Sequence, residues 1–344
     1  MAGGNYELVA MGNPLLDMTV RDGEEVLKKY DLKSNDAILI EPKHESIYDY
    51  VVDNYKVSYV AGGAAQNAAR CAQYVLPPKS TVYLGCVGDD KFAGNLRDAN
   101  DREGLRSVYQ VDKETPTGTC AVVLTGHDRS LVTRLGAAEK FNKSHLETPE
   151  AKEAIDRAKF FYLGGFFLTH GIESALILAK KAKANNVPFS VNLSAPFIPQ
   201  FFKDQLDQII PYSSLVFGNE TEFAAYAESH NLGTTDLAKI AQAVADLPSE
   251  TSLPRTVIVS QGADATIVAH AGQAETKAYP TPKVNPSDII DTNGAGDAMA
   301  GGVLGALILG KSVEEAVAVG QKLGGICIGQ NGPTLPLEPK VNVL

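Results

Sequence analysis

The chain has 344 residues, of which 31 are basic and 41 acidic, so that its formal net charge is −10 at pH 7. Hydrophobic residues make up 44% and charged residues 21% of the sequence, a balance that excludes a disordered chain, a coiled coil and a collagen-like fibre. The negative charge argues against nucleic acid and anionic membranes as partners, because both would be repelled. The length predicts about two domains, or one large α/β domain with an appendage.

Cysteine usage and the termini indicate the compartment. The cysteines are Cys71, Cys86, Cys120 and Cys327. They form no CxxC pair and have no histidine at metal-ligand spacing, so we expect reduced, mostly buried thiols. Residues 1–13 lack the basic and apolar regions of a signal peptide, and the longest apolar stretch, 303–309, is too short to span a membrane. The sequence therefore predicts a cytoplasmic location, with the nucleus as a further option.

Short β-rich segments alternate with helical patterns along most of the chain, which predicts an α/β fold with a mostly parallel central sheet. The predicted strands of this body are 8–11, 81–84, 160–163, 188–191, 215–217 and 255–260, with 266–269 as a hairpin partner of the last. The predicted helices are 91–102, 172–184, 294–309 and 312–328. Ser312 and Glu315 form a capping box at the start of the final helix.

Two regions interrupt this alternation, because strand-like segments follow one another there without a clear helix between them. These segments are 37–40 and 57–60 in the first region and 118–125 and 131–135 in the second. They predict a small β-sheet beside the main body, which could act as a lid. The predicted lid is discontinuous in sequence and consists of 14–64 and 115–140, whereas 1–13, 65–114 and 141–344 form the large α/β domain.

The strongest candidate site is the segment 289–298, in which an apolar strand end leads into a glycine turn and a helix of small residues. The turn consists of Asn293, Gly294, Ala295 and Gly296. Backbone amides at such a turn and the following helix N-terminus predict an anion hole. Asp297 would lie beside it and could accept the proton of a hydroxyl that attacks a phosphoryl group. Because a helix N-terminus stabilises a carboxylate, we expect Asp297 to be a weak base. The structural alternative is an ordinary glycine turn.

A second glycine motif lies at 59–68, where a strand again leads into a helix of small residues. The Gly62-Gly63 pair permits close approach of the backbone to a ligand. Asn67, one turn into the helix, offers a donor and an acceptor that suit a sugar with neighbouring hydroxyls. Tight packing of helix against strand is the alternative explanation.

The segment 12–17 follows the first predicted strand. Ligands of α/β sheets bind at the carboxyl ends of strands, so Asp17 could accept two hydrogen bonds from a diol. The same residue types are also typical of a simple turn.

Asn219 and Glu222 are three residues apart at a predicted strand-to-helix junction, and therefore lie on one helical face. An amide and a carboxylate there could hold Mg²⁺, which prefers few protein ligands and several waters. A helix N-terminus enriched in acids is the alternative. The chain contains no GxxxxGK[ST], GxGxxG, GxSxG or HExxH motif, which argues against P-loop, dinucleotide-binding, serine hydrolase and zinc protease sites.

In this order along the chain, the four motifs resemble those of the ribokinase-like (PfkB) carbohydrate kinases. Residues 291–297 resemble the C-terminal signature of that family, Gly62-Gly63 the N-terminal signature and 219–222 the magnesium motif NxxE. The resemblance covers about 9–336. Further segments look like the adenosine-phosphorylating branch of the family: 12–17, 117–120, 129–131, 164–169 and 192–197. The implied fold is a large α/β domain with a small β-sheet lid. The implied reaction is transfer of phosphate from ATP to the 5′-hydroxyl of adenosine, giving AMP and ADP in purine salvage.

The resemblance also implies individual roles. Asp297 is the implied catalytic base, with the 293–296 amides as the anion hole and Arg129 meeting phosphate from the lid. The implied contacts of the ribose hydroxyls are Asp17, Gly63 and Asn67, Gly62 is a further implied substrate-binding residue, and Asn13 would lie near ribose and base. The implied adenine site is Phe166 with apolar walls from Leu16, Leu39, Leu131 and Leu135. On the ATP side the resemblance implies Asn219, Glu222, Gln261 and Gly262, the first two organising Mg²⁺.

Other functions remain open at this point. A kinase of the same family could act on another sugar or nucleoside, although Phe166 and the leucines favour an aromatic base. A non-catalytic nucleoside-binding protein on this fold is a second alternative, which the presence of Asp297 disfavours. The expected partners are adenosine and ATP, and we expect a monomer.

Overall fold

The computed structural model describes residues 7–34, 36–126, 128–338 and 340–344. Residues 1–6, with which the predicted large domain begins, lie outside the described residues. The strands are β1 (Leu8–Met11), β2 (Leu15–Val20), β3 (Ala37–Leu39), β4 (Ser58–Gly62), β5 (Thr81–Gly88), β6 (Arg106–Asp112), β7 (Gly118–Thr125), β8 (Asp128–Arg134), β9 (Phe160–Gly164), β10 (Phe189–Asn192), β11 (Leu215–Asn219), β12 (Thr256–Gln261), β13 (Asp264–His270) and β14 (Lys277–Tyr279). The α-helices are α1 (Glu24–Tyr30), α2 (Ile47–Asn54), α3 (Ala64–Val75), α4 (Lys91–Glu103), α5 (Pro149–Arg157), α6 (Ile172–Asn185), α7 (Phe197–Phe201), α8 (Lys203–Ile209), α9 (Glu220–Ser229), α10 (Leu237–Ala245), α11 (Ala295–Ile308) and α12 (Val313–Cys327).

Within the described residues, the large sheet has nine strands in the order β14-β13-β12-β11-β10-β9-β1-β5-β6. The strands from β12 to β6 are parallel, whereas β13 and β14 run antiparallel at one edge. This confirms the predicted α/β fold with its mostly parallel sheet and the predicted β12–β13 hairpin. Connections that return each strand in parallel need helices, which cover both faces.

The core of the large sheet is divided into two layers by side-chain alternation along the strands. In β1, Val9 and Met11 pack with helices α5, α6, α8, α9 and α10. Leu8 and Ala10 point to the opposite face and pack with α3, α4, α11 and α12. The strands are therefore buried on both sides, which explains their continuous apolar runs.

The small sheet has five strands in the order β3-β8-β7-β2-β4. Helices α1 and α2 cover one face through a core that includes Val26, Tyr48 and Val132. The structure confirms the predicted strand segments. It adds β2, which the sequence did not predict because the residue types of 12–17 are typical of a turn. All five strands fall within 14–64 and 115–140, and the predicted domain boundaries themselves stay a prediction.

Helix α11 packs closely against α3 because glycines remove side chains from the contact. A Cβ atom at Gly301 would lie 2.3 Å from the carbonyl oxygen of Ala68, and one at Gly305 would lie 2.6 Å from Cβ of Val75. The close approach brings the starts of both helices, Ala64 and Ala295, to the same cavity. Among the described residues, no helix combines the length and apolarity that a membrane crossing requires.

Candidate active site

A cavity of about 920 Å³ lies between the carboxyl ends of the parallel strands and the small sheet. Gly164, Asn192 and Asn219 end β9, β10 and β11 and line its floor. Asp17 and Thr133 reach it from β2 and β8 of the small sheet. This is the position that the fold predicts for a ligand site, because connecting loops diverge at the carboxyl edge of a parallel sheet.

Most of the predicted site residues meet in this one cavity. Those that line it are Asn13, Asp17, Leu39, Gly63, Asn67, Arg129, Leu131, Leu135, Phe166, Asn219, Glu222, Gly262, Asn293, Gly294, Ala295, Gly296 and Asp297. Segments more than 200 residues apart in sequence, such as Asp17 and Asp297, thus share one site. Three predicted residues, Leu16, Gly62 and Gln261, are not among the described residues that line the cavity.

Leu16 does not form a wall of the cavity. In β2 alternate side chains point to opposite faces, so Leu15 and Asp17 face the cavity and Leu16 points away. Its side chain is buried in the core with Ala61 and Ala65. The resemblance implies Leu16 as an apolar wall, whereas in the described structure its neighbour Leu15 lines the cavity.

Gly62 and Gln261 support the cavity indirectly. A Cβ atom at Gly62 would lie 2.2 Å from Oδ1 of Asp17, so the glycine makes room for that carboxylate between β2 and β4. The side-chain amide of Gln261 donates to the carbonyl of Ala265 within the β12–β13 hairpin. The neighbouring Gly262 lines the cavity instead.

The start of α11 forms the turn that the sequence predicts, but it does not follow a strand. Residues 289–293 are irregular, and the amide of Ile290 donates to the carbonyl of Ile328 at the end of α12. Asp291 shapes the turn by accepting from the amides of Asn293 at 2.8 Å and Gly332 at 2.9 Å. Gly294 has φ 79°, a left-handed conformation that strains other residues.

Asp297 lies in the first turn of α11, where Nδ2 of Asn67 donates to its Oδ2 over 3.0 Å. Burial raises the pKa of Asp297 to about 6, although the Asn67 hydrogen bond and the charges of Arg129 and Arg70 act in the opposite direction. Burial therefore makes Asp297 a stronger base than its place at a helix N-terminus alone predicts. A carboxylate with this pKa is ionised at neutral pH and is well matched to accept a proton there.

Asp17 is the second carboxylate of the site and lies in the middle of β2, where its side chain is 6% exposed. Burial and then the charge of Asp297 raise its pKa to about 7, while Arg70 and a hydrogen bond from Asn293 lower it. Two buried carboxylates that repel one another favour a ligand that donates hydrogen bonds, such as a diol.

An aromatic wall includes residues that the sequence analysis missed. Phe166 packs against Phe197 with ring centroids 5.8 Å apart, and both line the cavity. Asn13 donates to the carbonyl of Phe166 over 3.3 Å, and Nε2 of His170 lies 2.9 Å from Oδ1 of Asn13. Burial lowers the pKa of His170 to about 4, so that the neutral ring donates to Asn13. Alternation along β2 could have found Leu15, whereas an isolated histidine carries no signal for its role.

Asn219 and Glu222 form a capping box at the start of α9. Oδ1 of Asn219 accepts from the amide of Glu222 at 2.9 Å, and Oε2 of Glu222 accepts from the amide of Asn219 at 3.0 Å. Both line the cavity, and burial raises the pKa of Glu222 to about 7. The described residues hold no cluster of three or more histidine, cysteine or acidic side chains that could ligate a metal. The pair suits Mg²⁺ that keeps most of its waters, because such an ion needs only one or two carboxylates.

Comparison with known proteins identifies the family. The model of the pfkB family carbohydrate kinases matches residues 25–340. The chain belongs to this family. An adenosine kinase of Schizophyllum commune is 51% identical over 343 residues, covering 99% of both chains, and one of Schizosaccharomyces pombe is 48% identical over 339 residues, covering 98% of both.

Solved structures support the same assignment. Adenosine kinase of Anopheles gambiae, in complex with a di(adenosine) tetraphosphate, superposes with a TM-score of 0.91 at 41% identity, covering 93% of this chain and 95% of the other. Adenosine kinase of Schistosoma mansoni, in complex with 2-fluoroadenosine, superposes with a TM-score of 0.92 at 34% identity, covering 97% of this chain and 98% of the other. The ribokinase-like fold that the motifs imply is thus confirmed for this pfkB family member.

Proposed function

We propose that this chain transfers the γ-phosphoryl group of ATP to the 5′-hydroxyl of adenosine and releases AMP and ADP. The observation that carries the proposal is the position of Asp297 beside the α11 glycine turn in a cavity that also has an aromatic wall. The near full-length similarity to adenosine kinases supports this choice of acceptor. A solved relative from Schistosoma mansoni, TM-score 0.90, is described in complex with adenosine and AMP.

The nucleoside part of the cavity suits a purine riboside. Phe166 and Phe197 offer ring faces for stacking, and Leu39, Leu131 and Leu135 are further apolar lining residues. We assign the ribose hydroxyls to Asp17, Asn67 and the backbone at Gly63. A bare sugar would leave the aromatic wall uncovered, which makes a nucleoside the better acceptor.

Chemistry at the phosphoryl group rests on positioning and charge. Asp297 orients the 5′-hydroxyl and accepts its proton as the new P–O bond forms. The amides at the start of α11 stabilise the negative charge on the transferring group, and Arg129 adds a positive charge in the same cavity. These fixed local groups allow phosphate chemistry in a chain whose net charge is −10.

On the ATP side, Gly262, Asn219 and Glu222 line the cavity. We propose that Asn219 and Glu222 hold Mg²⁺ through its waters. When bound, Mg²⁺ neutralises part of the phosphate charge. We also propose that the small sheet, 14–64 and 115–140, acts as a lid that keeps water from ATP. The monomeric state and the cytoplasmic location stay predictions from the sequence.

An acceptor panel tests the proposal. The protein is supplied with ATP, Mg²⁺ and one of adenosine, inosine, guanosine, ribose or fructose, and the products are separated. We expect AMP from adenosine, with kcat/KM for adenosine far above that for the other acceptors. Faster phosphorylation of ribose or fructose would contradict adenosine as the acceptor and favour a sugar kinase. ATP-independent binding without turnover would favour a nucleoside-binding protein.

A further inference from the structure

Arg70 is a buried arginine that contacts Asn67, the residue that donates a hydrogen bond to the proposed catalytic carboxylate Asp297. It lies on α3, one turn after Asn67, and its side chain is 2% exposed. Its Nε donates to Glu103 on α4 over 2.9 Å, and Nη1 donates to the carbonyl of Ala61 in β4 over 2.7 Å. Nη2 donates to the carbonyl of Pro333 over 2.8 Å. One side chain therefore joins α3, α4, the small sheet and the C-terminal segment.

The same guanidinium supports the orientation of the Asn67 amide from the side opposite Asp297. Nη1 of Arg70 donates to Oδ1 of Asn67 over 3.4 Å. An arginine has donors and no acceptors, so the oxygen of the amide must face it. The NH₂ group of Asn67 then faces Asp297, where it makes the 3.0 Å bond. With the amide reversed, its oxygen would face the carboxylate and repel it.

Arg70 also supports the glycine turn from behind. Its acceptor Pro333 packs against Gly294, since a Cβ atom at Gly294 would lie 2.4 Å from that of Pro333. The adjacent Gly332 donates to Asp291, which shapes the turn. The C-terminal segment held by Arg70 is thus the surface against which the anion-binding turn is packed.

We propose that Arg70 is a positioning residue for phosphoryl transfer, holding the Asn67 amide toward Asp297 and bracing the segment behind the α11 turn. It acts through Asn67 and Pro333 and needs no contact with substrate. The charged groups that shift the pKa of Asp17 are Asp297, Arg70 and Asp291, those that shift the pKa of Asp297 are Arg129 and Arg70, and Glu103 pairs with Arg70 itself. Within this set, the positive charge of Arg70 lowers the pKa of both Asp17 and Asp297. This inference rests on the proposed reaction.

The first test compares Arg70→Met and Arg70→Lys in single-turnover phosphorylation of adenosine as a function of pH. We expect Arg70→Met to slow the step by about tenfold. Loss of the neighbouring positive charge should raise the pKa of Asp297, which must be ionised to accept a proton. The acid limb of the pH–rate profile, where the rate falls as pH is lowered, should therefore move to higher pH. Arg70→Lys keeps the charge and should return the acid limb to its original position. An unchanged acid limb in Arg70→Met would overturn the proposal.

Arg255 provides a matched control for a purely structural arginine. It is 1% exposed and donates to backbone carbonyls, among them those of Ser213 and Leu247. Its acceptors all lie outside the cavity lining in the part of the chain that the structure describes. Arg255→Met, or Arg255→Lys if the first does not fold, should lower Tm and leave the acid limb unchanged. Equal behaviour of the Arg70 and Arg255 variants would contradict a positioning role.

A double-mutant cycle with Asn67→Ala supplies the second test. Because Arg70 acts partly through Asn67, Arg70→Met should slow the Asn67→Ala background by a smaller factor than it slows the parent protein. If Arg70→Met does not fold, Arg70→Lys replaces it in the same cycle. A lysine ammonium cannot make all the hydrogen bonds that the guanidinium of Arg70 makes to its separate acceptors. The same loss in both backgrounds would overturn the proposal. An inactive parent protein would instead refute the proposed reaction, so the two failures are distinguishable.

Discussion

Two helix starts line the same cavity and differ in how their first-turn amides are satisfied. Helix α9 begins with a capping box, in which Asn219 and Glu222 satisfy amides of their own first turn. Helix α11 begins at Gly294, a residue without a side chain that could cap. Amides of a first turn need partners from outside the helix when no side chain supplies them. The α11 start therefore suits an incoming anion, whereas α9 offers a buried carboxylate that suits a hydrated cation.

Helix α3 follows the α11 pattern. It begins after Gly63, whose φ of 89° also lies in the left-handed region. A Cβ atom there would lie 2.2 Å from the carbonyl oxygen of Asn13, so only glycine fits. The two glycine-initiated helices pack together and place Asn67 against Asp297. We therefore propose that ligand oxygens bind at the uncapped starts of α3 and α11 and that a cation binds at the capped start of α9.

The largest effect is expected from Asp297→Asn. Removing the proton acceptor at the α11 start should reduce turnover by about 10²- to 10⁴-fold, and adenosine should still bind. Turnover is measured as AMP formation and binding by calorimetry. Asp288→Asn, an exposed change on the preceding loop, is the control and should be active. Lost binding with normal turnover per bound molecule would remove Asp297 from its role.

Gly294→Ala tests whether the turn itself requires glycine. Left-handed strain and overlap with Pro333 should together lower the free energy of unfolding by about 2–4 kcal/mol. Gly310 is the matched control, because its φ is 80° and the space around it is open. Gly310→Ala should carry strain alone and cost about 1–2 kcal/mol. Chemical denaturation measures both, and equal losses would show that the Pro333 contact does not matter.

Asp17→Asn separates binding from stability. Loss of the diol acceptor should weaken adenosine binding by about tenfold or more, because a hydrogen bond to a charged group is lost. The raised pKa of Asp17, about 7, means that the folded state binds a proton more tightly than the unfolded chain. Its contribution to stability is therefore greatest at acid pH and falls as pH rises from about 4 to about 7.

Unfolding of the parent protein and of Asp17→Asn at about pH 5 and about pH 8 measures this slope. The variant should lose less stability across the interval than the parent by about 2–3 kcal/mol. A steeper slope in the variant would contradict burial as the dominant influence on Asp17.

The smallest effects should come from the caps. Ser312 and Glu315 cap α12 at the surface in the same way that Asn219 and Glu222 cap α9 in the cavity. Asn219→Ala and Ser312→Ala should each lower the free energy of unfolding by about 1 kcal/mol. We expect only Asn219→Ala to raise KM for MgATP as well. Equal kinetics in the two variants would show that the α9 cap is structural and serves no ligand.

Much of this architecture follows from the sequence because its signals are local. Apolar runs such as 160–163 predicted strands, and glycine turns at Gly63 and Gly294 predicted the two helix starts. The mixed segment 12–17 did not, since β2 contains Asp17 in the middle of a strand, where the polarity pattern suggests a turn. The resemblance placed Leu16 in the wall of the cavity, one position away from Leu15, which alternates onto the same face of β2 as Asp17.

The electrostatics of the site could not be derived from local pattern. The position of Asp297 at a helix start predicts a carboxylate of low pKa. In the fold, burial raises that pKa to about 6. The roles of Arg70 and His170 depend likewise on contacts formed only in the fold, with Pro333 and with Asn13, each far away along the chain. Tertiary burial decides such pKa values, and a single sequence does not reveal it.

A crystal structure with adenosine, ADP, Mg²⁺ and a metal fluoride that mimics the transferring phosphoryl group tests the central claim most directly. We predict that the fluoride accepts hydrogen bonds from the amides of 294–297 and that the 5′-hydroxyl faces Asp297. Binding of the fluoride at the start of α9, or a 5′-hydroxyl turned away from Asp297, would contradict the division of labour between the two helix starts.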